Sequence, residues 1–256
     1  MKSQELFNIK GKVALITGSS GGLGAAFARG LCEQGARVVL NGRDKQKIHH
    51  QVEALTRDGF EVYGHVFDVN DAVAISAAVD DINQQVGTID ILVNNAGITV
   101  RSPLEDFADD DWDQIIAINL TGVYKVSKAV VHGMMAKGAG KIINIGSLQC
   151  ELGRPAITPY AASKGGVKML TKGMAVEWGK YNIQSNGIGP GYFKTDMTKA
   201  LYEDDAFHAW VCARTPSKRW GVTDDLMGAL IFLSSRASDY MNGQMLYVDG
   251  GLLASV

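Results

Sequence analysis

The sequence predicts an α/β protein, a doubly wound parallel sheet of about seven strands with helices on both faces, in a single domain over residues 1–256. Three observations carry this. Short runs rich in Val, Ile and Leu alternate with longer runs of helical period, the signature of βαβ units. A glycine cluster, Gly18, Gly21, Gly22 and Gly24, joins the first apolar run to the first helical one. No repeat, low-complexity tract or linker divides the chain, and 256 residues can bury one sizeable core.

Val13 to Thr17, without a charge, reads as a short buried strand, and Leu23 to Leu31 as the helix that follows. Glycine lets the backbone turn sharply between them and lets a ligand approach where a Cβ would collide. The free N–H groups and positive dipole end of the helix favour a phosphate. Thr17, Gly18, Gly22 and Gly24 space as T-G-x-x-x-G-x-G, with Ser20 and Leu23 inside the turn, and read as a pyrophosphate seat. Two other readings compete: a tight turn with no ligand, and the serine-hydrolase elbow G-x-S-x-G, which Gly18 to Gly22 also fits.

Ala36 to Asn41 is a second strand, Asp44 to Asp58 a polar helix ending near Gly59, and Glu61 to Phe67 a third strand. Asp71 to Val86 is a helix stopped by Gly87, and Ile89 to Val93 a fourth strand closed by Asn94-Asn95-Ala96-Gly97. In open parallel sheets the ligand lies beyond the carboxyl ends of the strands. At the end of the second strand a carboxylate would bind the ribose hydroxyl of NAD, and a cation the 2′-phosphate of NADP. Here Asn41-Gly42-Arg43 precedes Asp44, so the nearest charge is positive and NADP(H) is favoured over NAD; the competing reading makes Arg43 a solvated charge and Asp44 a helix cap. Asp68, followed by Val69, is placed at the third strand's end to accept from an adenine amino group, or to serve as a loop carboxylate.

Asp111 to Met135 reads as one long helix with Asn119 among its apolar residues, where a polar side chain needs a partner. Lys141 to Ile145 is a fifth strand that delivers Gly146 and Ser147 to the ligand edge. A helix follows from Thr158, read as its cap, with Pro159 at its first position, to Trp178. Asn182 to Ile188 is a sixth strand, broken by Pro190-Gly191. Tyr192 to Pro216 fits no βα repeat and reads as one or two helices covering the site. Asp224 to Ser234 is a last helix, and Met245 to Val248 a last strand ended by Asp249-Gly250-Gly251.

Composition narrows the function. A hydrophobic content of 46% with 20% charged residues indicates a soluble globular protein, and a net charge of −2 offers no footprint for nucleic acid or an anionic membrane. Cys32, Cys150 and Cys212 are widely spaced without C-x-x-C, which suggests neither a disulfide framework nor a zinc site and fits reduced thiols in the cytoplasm. The N-terminus, charged at Lys2, Glu5, Lys10 and Lys12, holds no signal-peptide run, and no segment offers the roughly 18 consecutive apolar residues of a membrane span.

Tyr160 and Lys164 stand one helical turn apart and share a face. A phenol is a poor acid–base group at neutral pH, but a neighbouring ammonium favours the phenolate, so the pair is expected to exchange a proton with a substrate oxygen. Y-x-x-x-K also occurs at Tyr124 and Lys128. That copy has no serine delivered by a strand just upstream and reads as structural.

TGSSGGLG at 17–24, NNAG at 94–97, Asn119, Ser147, YAASK at 160–164 and GPGYFKT at 189–195 resemble, in that order, the short-chain dehydrogenase/reductase superfamily over essentially the whole chain. The resemblance implies a Rossmann-type fold and these roles. Tyr160 is the proton donor or acceptor, Lys164 holds the nicotinamide ribose and lowers the tyrosine pKa, Ser147 orients the substrate oxygen, and Asn119 positions a water in the proton relay. It also places Asn95, Ala96, Gly97, Pro190, Gly191 and Thr195 along the cofactor, with Ile188 and Thr195 by the nicotinamide amide.

Downstream, ELGRPAITPYAASKGGVKMLTKGMAVEW, NIQSNGIGPGYFKTDMTKAL, RTPSKRWG and NGQMLYVDGG resemble the gluconate 5-dehydrogenase branch, implying hydride transfer between NADP(H) and C5 of a six-carbon aldonate. An acidic sugar needs a cation, and Arg101 and Arg154 are the candidates for its carboxylate, or else surface ion-pair partners. Where that branch carries C-S-M-x-S-E-L, this chain has Gly146-Ser147-Leu148-Gln149-Cys150-Glu151-Leu152, with Gln149 and Glu151 as candidate hydroxyl partners. The family also implies a homotetramer built on the helices at 111–135 and 158–178.

The hydrolase reading fails on order, because Ser20 would need a later acid and then a histidine near the end, and the last histidine is His208 in the covering segment. A nucleotide-binding sensor or scaffold on the same fold remains an alternative, distinguished by binding without turnover.

Overall fold

A computed structural model describes residues 3–255; Lys2, one of the N-terminal charges, lies outside them. A short helix α1 (Ser3–Leu6) precedes β1 (Val13–Ile16), α2 (Gly22–Glu33), β2 (Arg37–Gly42), α3 (Lys45–Arg57), β3 (Val62–Val66), α4 (Ala72–Gln85) and β4 (Ile91–Asn94). Then come α5 (Asp109–Ile116), α6 (Gly122–Lys137), β5 (Gly140–Ile145), α7 (Thr158–Trp178) and β6 (Ile183–Pro190). The chain ends through α8 (Lys199–Tyr202), α9 (Asp205–Arg214), α10 (Met227–Ser234) and β7 (Met245–Val248). The seven strands form one parallel sheet in the order β3-β2-β1-β4-β5-β6-β7.

The sheet is wound on both faces because successive strand residues point to opposite sides. Ala14 and Ile16 of β1 pack with Phe27 and Leu31 of α2, Ile48 of α3 and Leu230 of α10. Val13 and Leu15 pack with Val79 of α4, Val126 and Val130 of α6 and Val167 of α7. A strand buried on both faces must be apolar throughout, which is why β1 and β4 read as unbroken apolar runs. Each fully buried Leu or Ile contributes about 2 kcal/mol.

Four expectations are corrected. The 111–135 helix is not uniform: α5 passes into a π-helical turn over Ala117–Thr121 before α6. Thr158 does not cap α7 but is its first helical residue, with no side-chain cap bond at Ile157; Pro159 fits one residue later than expected because its missing N–H has no helical partner in the first turn. β6 runs on through Pro190, which as the strand's last residue needs no donor of its own, while Gly191 N–H takes the next bond to Val248. The last helix begins as a 3₁₀ turn, Thr223–Leu226, before α10. Among the described residues, no helix is long and apolar enough to cross a membrane.

Candidate active site

The carboxyl ends of β1, β4, β5 and β6 open onto one cleft of about 470 Å³. The turn after β1 forms one end. Thr17 Oγ1 accepts from the backbone N–H groups of Asn95 (3.0 Å) and Ala96 (3.1 Å), and Asn95 Nδ2 donates to the carbonyls of Thr17 (3.0 Å) and Gly18 (2.9 Å), bolting this turn to the one after β4. Gly18 adopts φ +63°, and a Cβ on it would lie 2.8 Å from Ala96 Cα. Gly18, Ser20, Gly22 and Leu23 border the cleft, as do Asn95, Ala96 and Gly97 opposite them. Gly24 does not. A Cβ there would sit 2.3 Å from the Gly18 carbonyl oxygen, so Gly24 is required for packing helix on turn rather than for ligand contact.

The far end of the cleft is bordered by Asn41, Arg43, Asp68 and Val69. Asn41 is buried, and its Nδ2 donates to the carbonyls of Phe67 (3.0 Å) and His65 (3.3 Å), so it joins β2 to β3. Asp44 spends its carboxylate on the N-terminus of α3, accepting from Gln46 N (2.9 Å) and Lys47 N (3.1 Å). Arg43 is thereby left as the charge at the end of β2, largely exposed and 3.8 Å from Asp68, whose other oxygen accepts from Asn70 N at 2.8 Å. The cap expected of Asp44 is present.

Ser147, Tyr160, Lys164, Pro190, Gly191 and Thr195 also border the cleft. Ser147 Oγ donates its one proton to Gln149 Oε1 at 2.5 Å, with the Tyr160 phenol close beside it. Lys164 Nζ donates to the Ile145 carbonyl at 2.7 Å and lies 5.6 Å from the Tyr160 ring centre. The expectation of an acidified phenol is corrected. Burial pushes Tyr160 above the usual phenol range, the Ser147 hydroxyl opposing, and burial pulls Lys164 down to about 8. Lys164 is buried between α7 and β5 and Tyr160 is half-buried at the cleft wall, and desolvation favours the neutral form of each.

Asn119 reaches the same wall but does not border the cleft. Its Oδ1 accepts from Ile98 N (2.8 Å), and its Nδ2 donates to the Ile98 carbonyl (2.9 Å) and to Ser163 Oγ (3.1 Å). The polar residue that the sequence placed in an apolar helix is thus a clamp between the post-β4 turn and α7, seated in a π turn of the kind that recurs at functional sites. Tyr124 and Lys128 lie away from the cleft, with Tyr124 exposed on α6.

The departure at Gly146 and Cys150 has a steric basis. A Cβ at Gly146 would meet Met245 Sδ at 2.8 Å and Cys150 Sγ at 3.1 Å, so sulfur from two other positions fills the space that a side chain at 146 would take. Cys150 Sγ in turn donates to the Lys164 carbonyl at 3.1 Å.

Arg101, Gln149 and Arg154 do not border the cleft itself. Gln149 is tied to Ser147. A bond from Ser102 N to the Ala156 carbonyl (3.2 Å) zips the two arginine-bearing loops together, and Ala156 adopts φ +65° there, a strained conformation for a residue with a Cβ. Burial, then the charge of Arg154, lowers the Arg101 pKa, so the guanidiniums are near enough to repel. The sequence reading missed Phe193, Asp196, Met197 and Thr198, which also border the cleft. Their turn is held by Thr198 Oγ1, which accepts from Thr195 N (3.0 Å) and donates to the Phe193 carbonyl (2.5 Å). The T-x-x-T spacing was the available signal.

A family model described as short chain dehydrogenase matches residues 12–206. The chain is 52% identical to the 5-keto-D-gluconate 5-reductase of Escherichia coli (strain K12), over 98% of this chain and 99% of that protein. It is 48% identical to the gluconate 5-dehydrogenase of Gluconobacter oxydans (strain 621H), over the full length of both. The crystal structure of a gluconate 5-dehydrogenase from Burkholderia cenocepacia J2315 in complex with NADP and tartrate superposes over all of both chains, with a TM-score of 0.97 at 51% identity. With the glycine turn, Ser147, Tyr160 and Lys164 on one cleft and these relatives along its whole length, the chain belongs to the short-chain dehydrogenase/reductase family.

Proposed function

We propose that this protein is an NADP(H)-dependent oxidoreductase that interconverts a secondary alcohol and a ketone on a sugar acid, with D-gluconate and 5-keto-D-gluconate as the pair. The observation that carries the reading is the convergence of Ser147, Tyr160 and Lys164 on the same cleft as the glycine turn. The cleft fits a dinucleotide: the Gly18–Leu23 turn and the N-terminus of α2 offer backbone N–H groups to a pyrophosphate, and no Cβ narrows the approach at Gly18, Gly21 or Gly22.

When bound, the cofactor supplies the hydride donor or acceptor. The chain's residues do the rest. Arg43 meets the 2′-phosphate, Asp68 and Val69 flank the adenine, and Asn95, Ala96 and Gly97 line the path to the nicotinamide. Pro190, Gly191 and Thr195 hold the carboxamide side. Lys164 donates to the ribose, the Ser147 hydroxyl turns its proton from Gln149 to the substrate oxygen, and the Tyr160 phenol passes its proton to that oxygen in reduction and takes it back in oxidation. Asn119 keeps the Ile98 turn fixed against α7, and Arg101 and Arg154 receive the carboxylate, with Gln149 orienting Ser147.

The test is oxidation of NADPH by the purified protein with a panel of keto-aldonates against neutral ketoses. Turnover confined to keto-aldonates is expected, whereas NADPH binding without turnover of any carbonyl would make the protein a sensor. The Arg43→Ala variant should weaken NADPH about tenfold and leave NADH nearly unchanged, since an exposed guanidinium–phosphate contact is partly screened. An equal loss for both nucleotides, measured by fluorescence titration, removes Arg43 from the phosphate site.

A homotetramer in the cytoplasm completes the proposal. Met169 and Val176 stand exposed on α7 and Tyr124 on α6, which supports these helices as subunit contacts, and three free cysteines fit a reducing compartment.

A further inference from the structure

Arg101 and Arg154 are placed side by side, and among the described residues no carboxylate lies within ion-pair distance of either. Two adjacent cations without a counter-ion are costly to assemble, so the structure must brace them. Arg154 is braced on two sides. Its guanidinium lies 4.5 Å from the centre of the Phe207 ring on α9, and its other side faces the phenol of Tyr192, the residue after Gly191 of the cleft, which packs on the same ring and feels the Arg154 charge. Tyr192 is itself wedged edge-on against Phe207 (5.7 Å), Trp210 (5.9 Å) and Trp220 (5.6 Å), which fixes where its hydroxyl stands.

A guanidinium has only donors, so towards Arg154 the Tyr192 oxygen can only accept. Burial, the largest influence, keeps this phenol protonated at neutral pH. Its O–H is therefore free to donate in turn, polarised by the cation behind it. Arg101 after β4, Arg154 after β5 and Tyr192 after β6 thus bring three donors to the carboxyl ends of three neighbouring strands, the middle one of which also carries Ser147.

We propose that Tyr192 is a specificity-determining residue of this site, holding Arg154 toward Arg101 and donating its own hydroxyl proton to the substrate carboxylate. The inference rests on the sugar-acid reading above. It assigns the discrimination of an acid from a neutral sugar to a residue that lies outside the Ser-Tyr-Lys set and belongs to the aromatic cluster covering the site.

The test is Tyr192→Phe, which removes one oxygen and keeps the ring in its cluster. In this variant the KM for 5-keto-D-gluconate should rise about tenfold, the loss of a hydrogen bond to a charged group, with kcat nearly unchanged. Competitive inhibition by D-gluconate should weaken by a similar factor, while inhibition by its neutral amide stays as in the wild type. An equal change for acid and amide, or no change for either, overturns the role of Tyr192. Should the wild-type protein itself bind the amide as well as the acid, the sugar-acid reading fails and the role of Tyr192 falls with it. If the wild type prefers the acid and the variant keeps that full preference, the sugar-acid reading stands and only Tyr192 is dismissed.

Discussion

Tyr160→Phe lowers the rate of carbonyl reduction by about 10²–10⁴-fold, the usual worth of a positioned general acid, and leaves NADPH affinity nearly unchanged. The substitution removes one hydroxyl and keeps the ring against Lys164, so the nucleotide's seat at the glycine turn is untouched. Stopped-flow NADPH oxidation with an independent fluorescence titration separates the two effects. Turnover near the wild-type rate would take the phenol out of the reaction.

The pH dependence follows from burial. Because the Tyr160 pKa is raised, the phenol carries its proton through neutral pH and is ready to act as an acid. Reduction is therefore expected to hold across the neutral range and to fall on the alkaline side, whereas oxidation, which needs the phenolate, rises there. Rates measured in both directions over pH 6–10 test this; oxidation that peaks below neutral pH would contradict it.

The sheet was legible in the sequence because strands such as Val13–Ile16 and Ile91–Asn94 are buried on both faces and can contain little but apolar residues. Local signals were weaker where a tertiary contact decides the geometry. Asn119 looked like an anomaly in a helix, and only its bonds to Ile98 and Ser163, from the post-β4 turn and α7, explain the π turn around it. Arg43 and Asp44 presented charges of both signs at one strand end, and the choice between them came from the cap on α3, which occupies the carboxylate. Gly24 belongs to the fingerprint by spacing, yet its requirement is the 2.3 Å approach of the Gly18 carbonyl. The four-residue spacing of Tyr160 and Lys164 predicts a shared face but says nothing of desolvation, the largest influence on both groups. Tyr192 carried no chemical signal of its own, because its partner Arg154 lies on a different loop.

Lys164→Met separates catalysis from stability and should move them in different ways. The side chain is buried, its one direct partner is the Ile145 carbonyl, and its pKa stands near 8 instead of the usual 10.5. A lysine whose folded pKa is lowered is harder to keep charged in the folded protein than in the unfolded chain. Below about pH 8 both states are protonated and the wild type bears this cost in full. As pH rises from 8 towards 10.5 the folded state sheds the proton first, and the cost disappears. Methionine fills a similar volume with no charge and carries no such penalty. The stability of the wild type relative to Lys164→Met should therefore improve by about 2 kcal/mol between pH 7 and pH 10. Urea unfolding of both proteins at each pH isolates this difference from the buried Cys32, whose raised pKa acts in the opposite sense and is common to both. Turnover in the variant should be lost by about 10²-fold or more even at the pH where it is the relatively more stable protein, because the methionine cannot donate to a ribose hydroxyl. A difference in stability that is flat across this pH range would mean that the ammonium is not desolvated. Full activity in the variant would mean that this buried cation of the cleft has no part in holding the cofactor.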